Sequence, residues 1–276
     1  MGSNTSPSSC PVKGCVIPVD VVIKSSDNHT FGAHAKNLES FSEGFPLSGS
    51  VKANDQEPVE LTETADILRL FLAFTHNSSS PDLSGYDIDV IMSLAEAADK
   101  YGNHFAMAVC RKSMRLLADV STQNALRILK FKAIHADNED IDHIAELTMA
   151  FDIVHVVQFF GDYLMEFRIW LLYQQAYDKR AKEYHNTVSR EFTPAHQRNH
   201  GIISVCPNSP TFKDKVILTV ACLQKTKLPK PELFQEVVDA AEFLVDCICG
   251  LDEWLNNVKQ TLENRPKWSD YAKGSS

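Results

Sequence analysis

Strand signals in this chain end, apart from one short run, at Leu61, and almost everything beyond is written in helical period. Val19 to Lys24 is rich in β-branched residues, Ser25-Ser26-Asp27-Asn28 supplies turn chemistry, and His29 to Gly32 completes a β-hairpin. A third short strand is expected at Val59 to Leu61. Between them, Ala33 to Phe41 reads as a helix with Leu38 and Phe41 on one face. Thr64 to Thr75 carries Ile67, Leu68, Phe71, Leu72 and Phe74, too many apolar residues for one stripe, so that helix should be mostly buried. Asp87 to Tyr101 repeats apolar residues at i, i+3, i+4 spacing and stops at Gly102-Asn103, and Phe105, Val109, Met114 and Leu117 continue into another helix. Early strands followed by clustered helices predict an α+β domain.

Beyond Ser121 the next strand pattern is Ile202 to Val205. Short helices are expected at Thr122 to Lys132, Ile141 to Thr148 and Val154 to Phe160, and a long one from Asp162 to His185. In the long helix Tyr163, Phe167, Trp170, Gln174, Tyr177, Ala181 and Tyr184 recur at spacings of four and three, a seam for packing on another helix. Pro194, Gly201, Pro207 and Pro210 mark a connection, after which Lys213 to Lys225, Leu233 to Cys249 and Leu251 to Leu262 are helical by period. The expected organisation is a disordered tail over 1–17, an α+β domain over 18–119, a helical extension over 120–187, a linker over 188–212, an all-helical C-terminal region over 213–268 and a tail over 269–276.

Charge narrows the function classes. Against 27 Lys and Arg stand 36 Asp and Glu, a net −9. Between Pro18 and Asp119 there are 15 acidic and 8 basic residues, so the acidity belongs mainly to the first domain. A phosphate-backbone binder needs clustered cations, so direct nucleic-acid binding is not expected. Met1 to Pro18 lacks an apolar run of signal-peptide length and no stretch approaches a membrane span, which predicts an intracellular chain of the cytoplasm or nucleus. Seven cysteines in a reducing compartment read first as small buried hydrophobes.

Catalytic signatures are missing: there is no G-x-S-x-G, no G-x-x-x-x-G-K-[ST] and no G-x-G-x-x-G. His196 and His200 stand four apart as in a zinc protease, but Gln197-Arg198-Asn199 between them lacks the general-base Glu. A structural metal is the chemical alternative, with His196, His200, Cys206, Cys247 and Cys249 as ligands. Cys247 and Cys249 would lie about 200° apart on a helix, which favours buried neutral cysteines. No enzyme activity and no cofactor are expected.

The order of elements, with its residues, resembles the BTB (also called POZ) domain. Val19-Asp20-Val21-Val22-Ile23 is similar to that family's first core strand, and Phe31-Gly32-Ala33-His34 with Leu38 to its F-x-A-H-x-x-x-L signature. Leu70-Phe71-Leu72-Ala73-Phe74 resembles the apolar helix that usually runs into Tyr-Thr-Gly; here Thr75-His76-Asn77 follows instead. Leu94 to Tyr101 with Cys110 resembles the A-A-D-x-Y and Cys of the closing helical hairpin. Asp140 to Trp268, with Trp170, Cys249, Trp254 and Pro266, is similar to the helical extension common in fungal BTB proteins. The resemblance implies a homodimer formed through the first helix and neighbouring strand, with Phe41, Phe45 and Leu47 above Leu38 in the interface. It also implies that Asp20 lines the dimer surface, where Ala35 replaces the usual basic partner, and that His34 is a buried structural residue. The implied function is an adaptor whose helical region presents other proteins; the alternatives are a substrate adaptor of a cullin ubiquitin ligase and an indirect transcriptional co-regulator.

Overall fold

The computed structural model describes residues 9–46, 57–77, 81–189, 209–223, 228–242 and 251–272. The chain divides into two compact units, Met1–Asn124 and Ala125–Ser276. Among the described residues the architecture is α+β, mostly helical with one small sheet.

In the first unit β1 (Val21–Lys24) and β2 (Thr30–Ala33) form the antiparallel hairpin, with Val21 opposite Ala33 and Lys24 opposite Thr30. Asn28 adopts the left-handed conformation at φ 66°, which Asn tolerates better than most residues. Ser25 ties the turn: its amide donates to the His29 carbonyl at 2.8 Å and its hydroxyl to Asp27 Oδ1 at 2.5 Å. After α1 (Ala35–Phe41), the two-residue β3 (Val59–Glu60) joins β1 in parallel, giving the strand order β2-β1-β3. The helix expected from Ala33 starts at Ala35 instead, because Ala33 pairs in β2.

α2 (Ala65–Ala73) buries Ala65, Ile67, Leu68, Phe71 and Leu72, so it is surrounded as its composition predicts. Its first amide is met from the hairpin, since Ala65 N–H donates to Asp27 Oδ1 at 2.9 Å. α3 (Ile88–Lys100) begins at Asp87, whose carboxylate accepts from the Val90 amide at 3.0 Å, an N-cap. Gly102 at φ 63° then reverses the chain, and Asn103 caps α4 (His104–Val120) by accepting from the Ala106 amide at 2.9 Å. The buried face of α4 is Ala106, Met107, Cys110, Met114 and Ala118. Phe105, expected in that face, is 46% exposed and meets Phe74 edge-on. Met114 of the expected face is buried, but the rest of the core face is Ala106, Met107, Cys110 and Ala118 rather than Phe105, Val109 and Leu117.

Among the described residues of the second unit the secondary structure is helical. α5 (Thr122–Ile134) leads into it, followed by α6 (Ile141–Leu147), a 3₁₀ turn at Thr148–Ala150, α7 (Ile153–Phe160) and the long α8 (Leu164–Ser189). α9 (Ser209–Leu223), α10 (Pro231–Glu242), α11 (Leu251–Glu263) and α12 (Trp268–Ala272) complete it. α8 buries Trp170, Tyr177, Ala181 and Tyr184 of the expected seam, but Tyr173 takes the place of Gln174 and Tyr163 is exposed. Trp170 Nε1 donates to Thr148 Oγ1 at 2.9 Å, giving the buried indole its partner. Lys132 is buried and donates to Asp137 Oδ2 and the Glu139 carbonyl, each at 2.8 Å.

Candidate functional site

Four side chains of metal-ligating type converge in the first unit. Cys10 and Cys15 lie ahead of β1, His34 links β2 to α1, and His76 sits in the turn after α2. Their ligand atoms all lie within 4.8 Å of one another. Cys10 Sγ is 3.5 Å from His76 Nε2, and Cys15 Sγ is 3.2 Å from His34 Nε2. Both imidazoles are buried and both thiols half-buried.

Each ligand is positioned by local backbone chemistry. The segment containing the cysteines, expected as part of a disordered tail, is laid against β2: the Gly32 amide donates to the Ser9 carbonyl at 3.0 Å. The Cys15 amide closes a turn onto the Val12 carbonyl at 3.1 Å, and Gly14 at φ 77° supplies the left-handed residue that brings the second thiol round. His34 ends a strand with extended backbone, and its Nδ1 donates to the Pro18 carbonyl at 2.9 Å. After α2 the Thr75 hydroxyl and His76 Nδ1 both donate to the Leu72 carbonyl, at 2.8 Å and 2.9 Å. Thr75 and His76 thus build the turn in which the resembled family has Tyr-Thr-Gly, by gathering the Thr75 amide and both side chains on the one Leu72 carbonyl at the helix end.

Those two ring contacts decide the tautomers. A carbonyl only accepts, so in the neutral form of each ring Nδ1 carries the proton and Nε2 presents its lone pair toward the sulfurs. This is how protein imidazoles are held for a metal, with the far nitrogen donating to a backbone carbonyl. Burial pushes the Cys10 thiol up, and contact with Cys15 adds to the rise. Cys110, alone in the α4 core, is pushed up to about 12 by burial, which leaves it an inert packing group.

A second polar cluster joins the start of α2 to the end of α3. Tyr101 Oη donates to Glu63 Oε2 at 2.6 Å, and Lys100 Nζ donates to Glu63 Oε1 at 2.9 Å and to Thr62 Oγ1 at 2.7 Å. Burial disfavours the Glu63 carboxylate, but these donors outweigh it and hold its pKa below the usual range. Burial and then Glu63 push Tyr101 up to about 12. In the second unit Arg265 clamps three segments together. It donates to Glu146 Oε1 at 2.5 Å, to the Leu228 carbonyl at 3.0 Å and to the Pro229 carbonyl.

The residues singled out from the sequence fall into different places. Asp20 Oδ1 accepts from the Ala35 amide at 2.7 Å, so this carboxylate caps the start of α1. Leu38 is buried, Phe41 half-buried, and Phe45 stacks on Tyr101 at 4.8 Å between centroids, packing into its own unit. Leu47 lies outside the described residues, as do the expected metal ligands His196, His200, Cys206, Cys247 and Cys249. Of the tetrad only His34 was singled out, and as a structural residue. Cys10, Cys15 and His76 were missed; their one trace in the sequence is Cys10-Pro11-Val12-Lys13-Gly14-Cys15, two thiols around turn residues.

Among the described residues no helix is long and apolar enough to cross a membrane. A scan against protein-family models matches none of them, and a search of curated proteins finds no match.

Proposed function

We propose that this chain is a non-enzymatic protein-interaction module of the BTB type, which pairs with a second copy through the region around its first helix and presents its helical region to other proteins. The element order β1-β2-α1-β3-α2-α3-α4 supports the reading. The observation that carries it is an apolar strip immediately before β1. Val16 is 93% exposed, Ile17 46% and Val19 38%. The strip sits beside the start of α1, since Pro18 accepts from His34, the Asp20 amide donates to the Ala33 carbonyl at 3.2 Å and Asp20 accepts from Ala35. Three ordered apolar side chains held on the surface next to a helix are what an interface uses.

Light scattering of the full chain at micromolar concentration should give the mass of a dimer. Val16→Asp combined with Ile17→Asp should convert it to monomer without changing the far-ultraviolet circular dichroism. A wild-type chain that remains monomeric at those concentrations defeats the reading.

A further inference from the structure

We infer that Cys10, Cys15, His34 and His76 form a closed, structural zinc site that staples the N-terminal segment to β2 and to the end of α2. The inference stands on side-chain geometry and does not depend on the interaction function proposed above. Zinc bonds of about 2.3 Å to sulfur and about 2.0–2.1 Å to nitrogen, at tetrahedral angles, place sulfur and nitrogen ligands about 3.5 Å apart. The two sulfur–nitrogen pairs lie at 3.5 Å and 3.2 Å, close to that edge, and all four ligand atoms fall within 4.8 Å. Two thiol–imidazole hydrogen bonds would need only two separate pairs. They do not require the pairs to converge with both Nε2 lone pairs turned inward, and a shared cation does.

The ligand chemistry selects the metal. Two thiolates and two neutral imidazoles in a tetrahedron match zinc, while hard cations such as magnesium or calcium take oxygen ligands. As the ion binds, each thiol loses its proton to solvent and no bond to carbon changes. The site then carries two negative thiolates against one divalent cation and is neutral, which suits its partial burial. Four protein ligands complete the coordination, so the role is structural and no position is left for a substrate. Cys10 and His76 are 66 residues apart, so the ion closes a long loop that short-range hydrogen bonds cannot close. It also fixes the backbone from Cys15 to Pro18, whose carbonyl holds His34.

Metal analysis of the untagged full chain, purified without chelator, should find about one zinc per chain. The cobalt-substituted protein should show the intense ligand-field and charge-transfer bands of a tetrahedral site with two sulfurs. Cys15→Ser and His76→Gln should each lower zinc affinity by about tenfold or more. A triple variant, Cys206→Ser with Cys247→Ser and Cys249→Ser, should keep the full complement. If Cys15→Ser does not fold, Cys15→His keeps four ligands, and its cobalt form should lose sulfur charge-transfer intensity while still binding. A wild-type chain that binds neither zinc nor cobalt overturns the site, as does zinc that survives Cys15→Ser and is lost in the triple variant. So does a Cys10–Cys15 disulfide that resists reductant and excludes the metal.

Discussion

Glu63 shows how one residue can hold two distant parts of a chain. Its carboxylate sits where α2 begins and takes hydrogen bonds from Lys100 and Tyr101, where α3 ends. Because its folded pKa is lowered, the stabilisation is fully present above the ordinary carboxylate value near 4.5 and is lost as pH falls through the lower folded value. Tyr101 runs the other way: its phenol stays protonated up to about 12, so between 10 and 12 the unfolded chain ionises first and stability falls as pH rises. Tyr101→Phe should therefore cost about 1–2 kcal/mol at pH 7, the low end for a hydrogen bond to a charged group because solvent reaches part of the pair. In urea titrations the penalty should shrink below pH 4 and again above pH 10. A penalty that is constant with pH would mean that the hydrogen bond to Glu63 does not carry the loss, since the ring packing on Phe45 and Phe71 is kept in the variant.

At the scale of elements, the helix ends carry much of the specification. Asp87 starts α3 with its side-chain oxygen, and Asn103, read from the sequence as part of the stop of that helix, also starts α4 by capping it. Gly102 between α3 and α4 is left-handed, and an added Cβ would come within 2.9 Å of Glu43 Cβ. Gly102→Ala should lower stability by about 1–2 kcal/mol from backbone strain alone, read from the urea midpoint, and the crowding against Glu43 adds to it. An unchanged midpoint would mean that the corner relaxes. Other element features were illegible. The buried face of α4 mixes Met107 and Met114 with the small Ala106, Cys110 and Ala118, and bulk alone does not distinguish it from the exposed side that carries Phe105. In α8 the seam runs through Tyr173 rather than Gln174, because both positions satisfy the spacing and only the neighbouring helices distinguish them.

For the molecule as a whole, the proposed self-association is the property with most consequence. If the apolar strip at Val16, Ile17 and Val19 is covered by a second copy, the thermal midpoint of the full chain must rise with protein concentration, since association stabilises the folded state by mass action. Val16→Asp should abolish that dependence. The zinc proposed above would add a separate contribution: chelator should lower the midpoint of the wild type by more than that of Cys15→Ser, whose affinity is lower. The acidic balance of −9 works against attraction to a phosphate backbone.

The sequence by itself determined the α+β character, the hairpin, and the position of nearly every helix, because period, caps and turn residues act over a few neighbours. Tertiary structure alone decided where the ligands meet. Cys10 and Cys15, His34 and His76 come from three stretches: Cys10 and Cys15 have a spacing that zinc ligands use, but no His pair follows at a matching spacing, and the helix-end turn at Thr75-His76 read only as a departure from the expected pattern. Clamps such as Arg265 on Glu146, 119 residues apart, were equally silent. Coordination and hydrogen bonding depend on distance in space, and no local pattern encodes which remote residues a fold will bring within reach.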